Sequence, residues 1–92
     1  MSAALPDRPA VRDELIFRQL DDEWVVYDPS GERLYVMNRT AAVVWLYCTG
    51  ELTLDDIVVG VLDAFEGPAD SEQVAADVRR AVAEFAERGL LT

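Results

Sequence analysis

Ninety-two residues, 51% of them hydrophobic, suffice for one compact domain, and no apolar run approaches the roughly 18 residues that a membrane span requires. Eighteen acidic residues against eight basic ones give a formal net charge of −10, which makes a polyanion such as DNA or RNA a poor partner. The chain has no histidine and one cysteine, which excludes an imidazole base, a histidine metal ligand and an intramolecular disulfide, so we expect no enzyme, no metal site and no cofactor.

The first segment, residues 1–13, combines small residues, two prolines and mixed charges without hydrophobic periodicity. This composition predicts a flexible N-terminal arm in front of a single domain over residues 14–92. The arm lacks the continuous apolar stretch of a signal peptide or a membrane anchor, so we expect a cytoplasmic protein without a membrane partner.

Three short runs rich in aromatic and β-branched residues predict strands over about residues 14–20, 24–27 and 33–37. Residues 21–22 are the expected tip between the first two strands. Residues 28–31 form a strong turn sequence, with proline second and glycine last, where φ is often positive. Connections this short indicate an antiparallel meander, in which the third strand lies at an edge of the sheet.

Three helices are predicted after the sheet, each with a residue suited to cap its N-terminus. The helices and caps are about 39–49 after Asn38, 54–66 after Thr53 and its capping partner Asp56, and 71–88 after Asp70 with Gln73. Gly50 and Gly89 are expected to end the first and third helices, and residues 67–69 to break the chain between the second and third. Gly60 either weakens the second helix or permits a close helix crossing. The order predicts an α+β fold, a three-stranded antiparallel meander followed by three helices, winged-helix-like in general shape.

The predicted sheet is apolar on both faces. In the third strand, Leu34 and Val36 alternate with the equally apolar Tyr35 and Met37. A sheet with one solvated face would alternate more cleanly between apolar and polar residues. The surplus apolar surface therefore needs a cover, which is another part of the chain, a second copy or a ligand.

The strand-to-helix junction carries the most specific motif of the chain, Tyr35-x-Met37-Asn38-x-Thr40-Ala41-Ala42-x-Val44-Trp45. Further positions of the same pattern are Val26 and Asp28 before it and Gly50, Leu54, Ile57, Leu62, Phe65, Phe85, Gly89 and Leu90 after it. Together they resemble the PqqD-like family, the RiPP recognition elements of ribosomal peptide natural-product pathways, over residues 14–92. Met37 and Ala41 stand where the family commonly has Leu and Gly, and neither change should alter the fold.

The resemblance implies a non-catalytic adaptor that binds the leader region of a precursor peptide. In the family, the leader adds to the third strand as a β-strand, against the third helix, and is delivered to a leader peptidase or another modifying enzyme. The junction Asn38-Arg39-Thr40 looks like that of a broader group, which includes stand-alone leader binders of lasso-peptide pathways. The implied peptide-binding residues are Arg33, Leu34, Tyr35, Val36 and Met37 on the strand and Val74, Asp77, Val78, Ala81 and Phe85 on the helix.

Within the third helix, we expect Val82 and Phe85 in the core, whereas the flank carrying Asp77, Val78 and Ala81 faces the groove. Arg79 and Arg80 either meet acidic leader side chains or are solvated.

Trp45 is expected in the core. Trp24 either packs within the fold and stabilises the sheet or lies exposed at a contact surface. Cys48 is expected to be a small, semi-buried residue, because the chain has no histidine or lysine to activate it as a nucleophile.

Other functions and states remain open from the sequence alone. The third strand is an ordinary edge shielded by the N-terminal arm in one alternative, and the protein is a generic interaction subunit of an enzyme complex in another. A winged-helix DNA-binding protein shares the general shape, but residues 70–88 hold five acidic residues against three arginines, a net charge of −2 that suits no recognition helix. Exposed strand edges permit either a monomer or a strand-paired dimer.

Overall fold

In the computed structural model, which describes residues 5–65 and 70–92, three strands precede three helices. The strands are β1 (Ile16–Leu20), β2 (Glu23–Asp28) and β3 (Arg33–Met37), and the helices are α1 (Arg39–Tyr47), α2 (Leu54–Ala64) and α3 (Ser71–Glu87). This confirms the predicted α+β fold. The second helix ends at Ala64, with Phe65 extended, two residues before its predicted end at residue 66. The predicted break at residues 67–69 lies outside the described residues. Within the described part of the chain, no helix is both long and apolar enough to cross a membrane.

The sheet is an antiparallel meander with β2 in the middle. Val26 pairs with Phe17 of β1 and with Tyr35 of β3, and these side chains pack on the helices. We call this side of the sheet the inner face. Because side chains alternate along a strand, the neighbouring row of Ile16, Tyr27 and Leu34 lies on the opposite side, which we call the outer face.

The core lies between the inner face and the helices, with Trp45 of α1 at its centre. The Trp45 ring is stacked with Phe17, at 6.4 Å between centroids, and meets Phe85 of α3 edge to face at 5.2 Å. Such aromatic pairs contribute about 0.5–1.5 kcal/mol each beyond the area that they bury. The predicted core positions of Trp45, Val82 and Phe85 are confirmed. Cys48, expected to be semi-buried, is fully buried.

All three predicted N-caps are confirmed. The Asn38 side chain accepts a hydrogen bond from the Ala41 N–H at 2.8 Å, and the Asp70 carboxylate accepts from the first turn of α3. Thr53 and Asp56 form a reciprocal capping box, with each side chain accepting from the other residue's backbone N–H. Each of these interactions is local in sequence, so the start of each helix depends on residues of its own first turn.

The turn between β2 and β3 differs from the prediction in one detail. The left-handed residue is Glu32, with φ of 51°, rather than Gly31. The cause lies in Asp28, whose carboxylate accepts hydrogen bonds from the Ser30 hydroxyl at 2.8 Å and from the backbone N–H groups of Ser30 and Gly31. These bonds hold residues 28–31 in an Asx-type turn, so the chain reverses into β3 one residue later.

Gly60 permits a close crossing of α1 and α2. A Cβ atom at this position would lie 2.9 Å from Cζ of the Tyr47 ring, closer than real Cβ contacts. Of the two roles that the sequence left open for Gly60, the structure therefore supports the close crossing.

The N-terminal segment is bound to the domain over residues 9–12, in contrast to the predicted arm over residues 1–13. Pro9 is fully buried, and its carbonyl accepts from the Gly50 N–H at 2.9 Å. Backbone hydrogen bonds then join Val11 to Cys48, at 3.1 Å, and Arg12 to Leu90, at 3.0 Å. These are isolated bridges without strand periodicity, so no pattern in the sequence indicates them. Residues 1–4 of the predicted arm lie outside the described residues.

Arg12 ties this segment to the rest of the domain. Its guanidinium donates to the Gly89 carbonyl at 2.8 Å, pairs with Glu14, and lies 3.9 Å from the Asp28 carboxylate. The pKa of Glu14 is lowered by hydrogen bonds from its own backbone and from Arg12. The pKa of Asp28 is lowered chiefly by the Ser30 hydroxyl, with smaller contributions from backbone N–H groups and from Arg12.

Candidate functional site

The outer edge of β3 is open to a further strand. Within the described residues, β3 pairs with β2 alone. The N-terminal segment lies against residues 48–50 and 90–92 instead, so over residues 5–13 it does not shield this edge. An edge strand presents backbone N–H and C=O groups that an extended peptide can pair with.

Two adjoining cavities lie beside this edge. The first, of about 130 Å³, is bounded by Tyr35, Val36 and Met37 of β3 and by Glu84, Phe85 and Arg88 of α3. The second, of about 180 Å³, is bounded by Asn38, Thr40 and Ala41 and by Asp77, Arg80 and Ala81 of α3. Asn38, Ala41 and Glu84 line both cavities, so together they form one continuous depression, which we call the β3–α3 groove.

Apolar side chains contribute to the base of the groove, although most of its exposed lining is polar. Ala41, in the first turn of α1, and Ala81 of α3 leave space that a longer side chain would fill. Phe85 is buried below the groove, and Tyr35 and Met37 are half-buried at its side. A depression next to an open strand edge gives space for the alternating side chains of an added strand.

Charged residues of alternating sign follow the rim of the groove along α3. Asp77 pairs with Arg80 at 3.2 Å, and the Arg88 guanidinium lies over the Tyr35 ring at 5.3 Å from its centroid. Glu84 lies between them, and within the described residues no ion pair involves it. The charges of the rim balance, so the groove offers a ligand backbone pairing along β3 and a mixed polar and apolar surface beside it.

Cys48, the one thiol of the chain, is buried and does not line the groove. Burial raises the pKa of the Cys48 thiol to about 12, so it stays protonated and inert at neutral pH. Among residues 5–65 and 70–92, no three His, Cys, Asp or Glu side chains are grouped to hold a metal ion.

The structure brings part of the predicted peptide-binding set together at the groove and leaves the rest elsewhere. Tyr35, Val36, Met37, Asp77, Ala81 and Phe85 line it, whereas Arg33, Leu34, Val74 and Val78 do not. Leu34 is on the outer face, 58% exposed, and Arg33 is an exposed residue at the start of β3. Val74 is half-buried and packs against the core.

Val78 is placed differently from its predicted position on the flank that faces the groove. It is fully buried in the core together with Val82 and Phe85. The apolar stripe of α3 is wide, and its period shows which residues share a face without showing which side of the stripe the other helices cover. In the fold, α2 and α1 cover the side that carries Val78.

Several residues that line the groove are absent from the sequence prediction. Glu84 and Arg88 follow Asp77 and Ala81 at helical spacing, so extending that stripe by two turns finds them. Asn38 and Ala41 belong to a different element and come into the groove only through tertiary packing. Arg80 lines the groove as one of its two predicted roles requires, whereas Arg79 lines a separate cavity beside Asp7, Arg8 and Asp55.

A second feature is the outer face, where the predicted surplus apolar surface is found. Its exposed large hydrophobic residues are Ile16, Leu20, Tyr27, Leu34 and Val36. Val25, opposite Arg18 and Val36, is buried among them. The five exposed side chains retain 36–58% of their accessible surface, and contiguous apolar patches on soluble proteins commonly mark interaction sites.

Comparison with known proteins gives one family and a shared fold. The family model described as Coenzyme PQQ synthesis protein D (PqqD) matches residues 23–91. A structure described as lasso peptide synthetase B1 complexed with the leader peptide superposes with a TM-score of 0.75 at 19% identity, covering 92% of this chain and 98% of that one. A structure of TbiB1 in complex with the TbiA(beta) leader peptide gives 0.72 at 18% identity, covering 89% and 93%. No curated protein matches the chain.

Proposed function

This chain belongs to the PqqD family, and from that premise we propose that it is a non-catalytic adaptor, a RiPP recognition element that binds the leader segment of a ribosomal precursor peptide. The observation that carries the proposal is the open β3 edge directly beside the β3–α3 groove. The two structures of the same fold that are described as leader-peptide complexes, one of them a lasso peptide synthetase subunit, support a pathway of that kind.

Binding would proceed by addition of the leader as a fourth strand. Backbone hydrogen bonds to β3 supply affinity that depends little on sequence, and side chains entering the groove supply specificity. An unstructured leader loses conformational entropy when it becomes ordered, which offsets part of the gross interaction energy. A micromolar to nanomolar dissociation constant follows, equivalent to about −8 to −12 kcal/mol.

The outer face then serves the second half of the adaptor role, delivery to a leader peptidase or another modifying enzyme. Side chains of an added strand alternate between the two faces of the sheet, so every second leader residue would extend the row of Tyr27 and Leu34. An enzyme docked on this face would contact the adaptor and the bound leader at once. Such an enzyme would bind the adaptor more tightly when the leader is present, because the leader adds to the contact surface.

A second copy of the chain is a poorer occupant of the outer face. Three strands about 4.8 Å apart and five or six residues long span roughly 14 by 17–20 Å. Face-to-face pairing of two such patches buries less than the roughly 1,200 Å² of a stable protein interface. A larger enzyme surface that also contacts the leader overcomes this limit.

The test is a fluorescence anisotropy titration with labelled leader peptides of candidate precursors from the same genome. The wild-type protein should bind saturably, and Ala41→Leu, which fills the point where the two cavities meet, should weaken binding by about tenfold or more. Ala86→Leu, an exposed position on α3, is the matched control and should bind as the wild type does. Circular dichroism establishes that each variant is folded.

Absence of saturable binding by folded wild-type protein up to about 100 μM would refute the leader-binding role. The protein would then be a generic interaction subunit that uses its outer face without a leader.

A further inference from the structure

A third cavity lies beyond the end of the groove, at the tip of the β1–β2 hairpin. It measures about 580 Å³ and is lined by residues 21–23, Trp24, the β3 residues Val36 and Met37, and the junction residues Asn38 and Arg39. We call it the tip pocket. Val36, Met37 and Asn38 also line the first cavity of the groove, so the tip pocket continues the groove past the C-terminal end of β3.

Trp24 forms an aromatic wall of the tip pocket. It lies opposite Met37 on β3, two residues before Val26 and therefore on the same side of the sheet. Unlike Trp45, which is 5% exposed, Trp24 is half-buried, and among the described residues it is not part of the set that packs against the core. The indole ring consequently presents surface to the pocket rather than stapling the sheet to the helices.

The charge of the pocket is negative. Asp21, Asp22 and Glu23 line it, and within the described residues none of them forms an ion pair. Arg39 is the basic residue of the lining, but its guanidinium lies 5.1 Å from the centroid of the Phe65 ring. An aromatic surface flanked by carboxylates that have no cationic partner is complementary to a positively charged side chain.

We propose that the tip pocket binds a lysine or arginine side chain of the leader, in the segment that continues past the C-terminal end of β3. The inference rests on the proposed function and deepens it, because it names the chemistry of a residue that the adaptor selects. Continuity with the groove favours the leader as the source of this side chain, since a peptide lying along β3 passes the pocket without leaving the surface. The cation would contact the Trp24 ring and be neutralised by the acidic residues at the tip.

A random peptide display library, selected on the immobilised protein, tests the proposal and does not require the leader sequence. Selection is run in parallel on the wild type, on the tip variant Asp21→Asn/Asp22→Asn/Glu23→Gln, and on the control variant Glu51→Gln/Asp63→Asn/Glu72→Gln. The control removes the same charge from exposed positions outside the tip pocket. The wild type and the control should enrich peptides with a lysine or arginine at a fixed distance from an apolar segment. The tip variant should enrich the apolar segment alone.

A selected peptide then gives the magnitude. Replacing its arginine by citrulline, or its lysine by norleucine, removes the charge and should weaken binding to the wild type about tenfold. The same replacement should leave binding to the tip variant and to Trp24→Leu nearly unchanged. If Trp24→Leu does not fold, the tip variant carries the comparison, because its side chains are exposed and nearly isosteric with the originals.

The outcomes separate the two proposals. If the enriched peptides carry no basic residue and bind Ala41→Leu more weakly than the wild type, the proposed role of the tip pocket is wrong. Leader binding at the groove would then still stand. Basic residues enriched equally on the tip variant would also overturn it, since general attraction to an acidic protein would then explain them. If no enriched peptide depends on the groove, leader binding itself fails, and the tip pocket fails with it.

Discussion

The two faces of the sheet are built from similar apolar residues but differ in how far the rest of the chain buries them. On the inner face, Val26 belongs to the same core cluster as Trp45 and is fully buried. On the outer face, Leu34 and Val36 are more than half exposed, although one residue along the strand reverses the direction of each side chain. Apolar character alone therefore does not distinguish a residue that stabilises the core from one that binds another molecule. A residue that the chain itself covers contributes to stability, whereas one left uncovered is available to another molecule.

The largest effect should come from the inner side. Trp45→Ala removes the aromatic side chain that contacts both Phe17 and Phe85, and the cavity should lower the free energy of unfolding by about 3–5 kcal/mol. Urea denaturation followed by circular dichroism measures this loss. The neighbouring exposed residue provides the control, since Leu46→Ala should change stability by no more than about 0.5 kcal/mol. Equal effects of the two variants would contradict the separation of covered and uncovered residues.

The outer face should show the reverse pattern. Leu34→Glu places a charge in the exposed row, so stability should change by less than about 1 kcal/mol, while binding of the modifying enzyme to the leader-loaded adaptor weakens by about 2 kcal/mol or more. Isothermal titration with the enzyme measures the second quantity, and leader anisotropy provides the internal control. A variant that binds the enzyme normally but loses the leader would assign Leu34 to the groove instead.

The features that the sequence predicts correctly are those that depend on neighbouring residues in the chain. Helix starts at Asn38, Thr53 and Asp70 depend on side chains that cap their own first turn, so local chemistry predicts them. Alternation along β3 predicts that both faces of the sheet are apolar.

What sequence reasoning misses depends on which elements meet. Helical periodicity predicts Val78 at the groove, but the packing of α3 turns it into the core, and Ala41 enters the groove from a helix that no periodicity links to α3. The paired segment at residues 9–12 escapes prediction for the same reason, since its partners follow α1 and α3 in the chain.

Acidic pH should lower the stability of the folded protein through Asp28, in the turn that leads into β3. The pKa of Asp28 is lower in the folded protein, where its carboxylate accepts several hydrogen bonds, than in the unfolded chain. The stability that it contributes is thus present above its unfolded pKa of about 3.9 and is lost as the pH falls through the folded value. Urea denaturation between pH 7 and pH 3 should show a shallower loss for Asp28→Asn than for the wild type. Identical slopes would mean that other carboxylates, such as Glu14, account for the acid sensitivity.

The smallest effect concerns the helices that cover the inner face. At Gly60, alanine improves helix propensity by about 1 kcal/mol, but its Cβ would overlap the Tyr47 ring, at 2.9 Å from Cζ. The two terms oppose each other, so Gly60→Ala alone should destabilise the protein by no more than about 1 kcal/mol. In a Tyr47→Leu background the overlap is relieved, and the same change should stabilise by about 0.5–1 kcal/mol. A double-mutant cycle by urea denaturation isolates the difference. If alanine stabilises both backgrounds equally, the contact between Gly60 and Tyr47 tolerates a methyl group, and α1 and α2 pack less tightly over the inner face than the distance indicates.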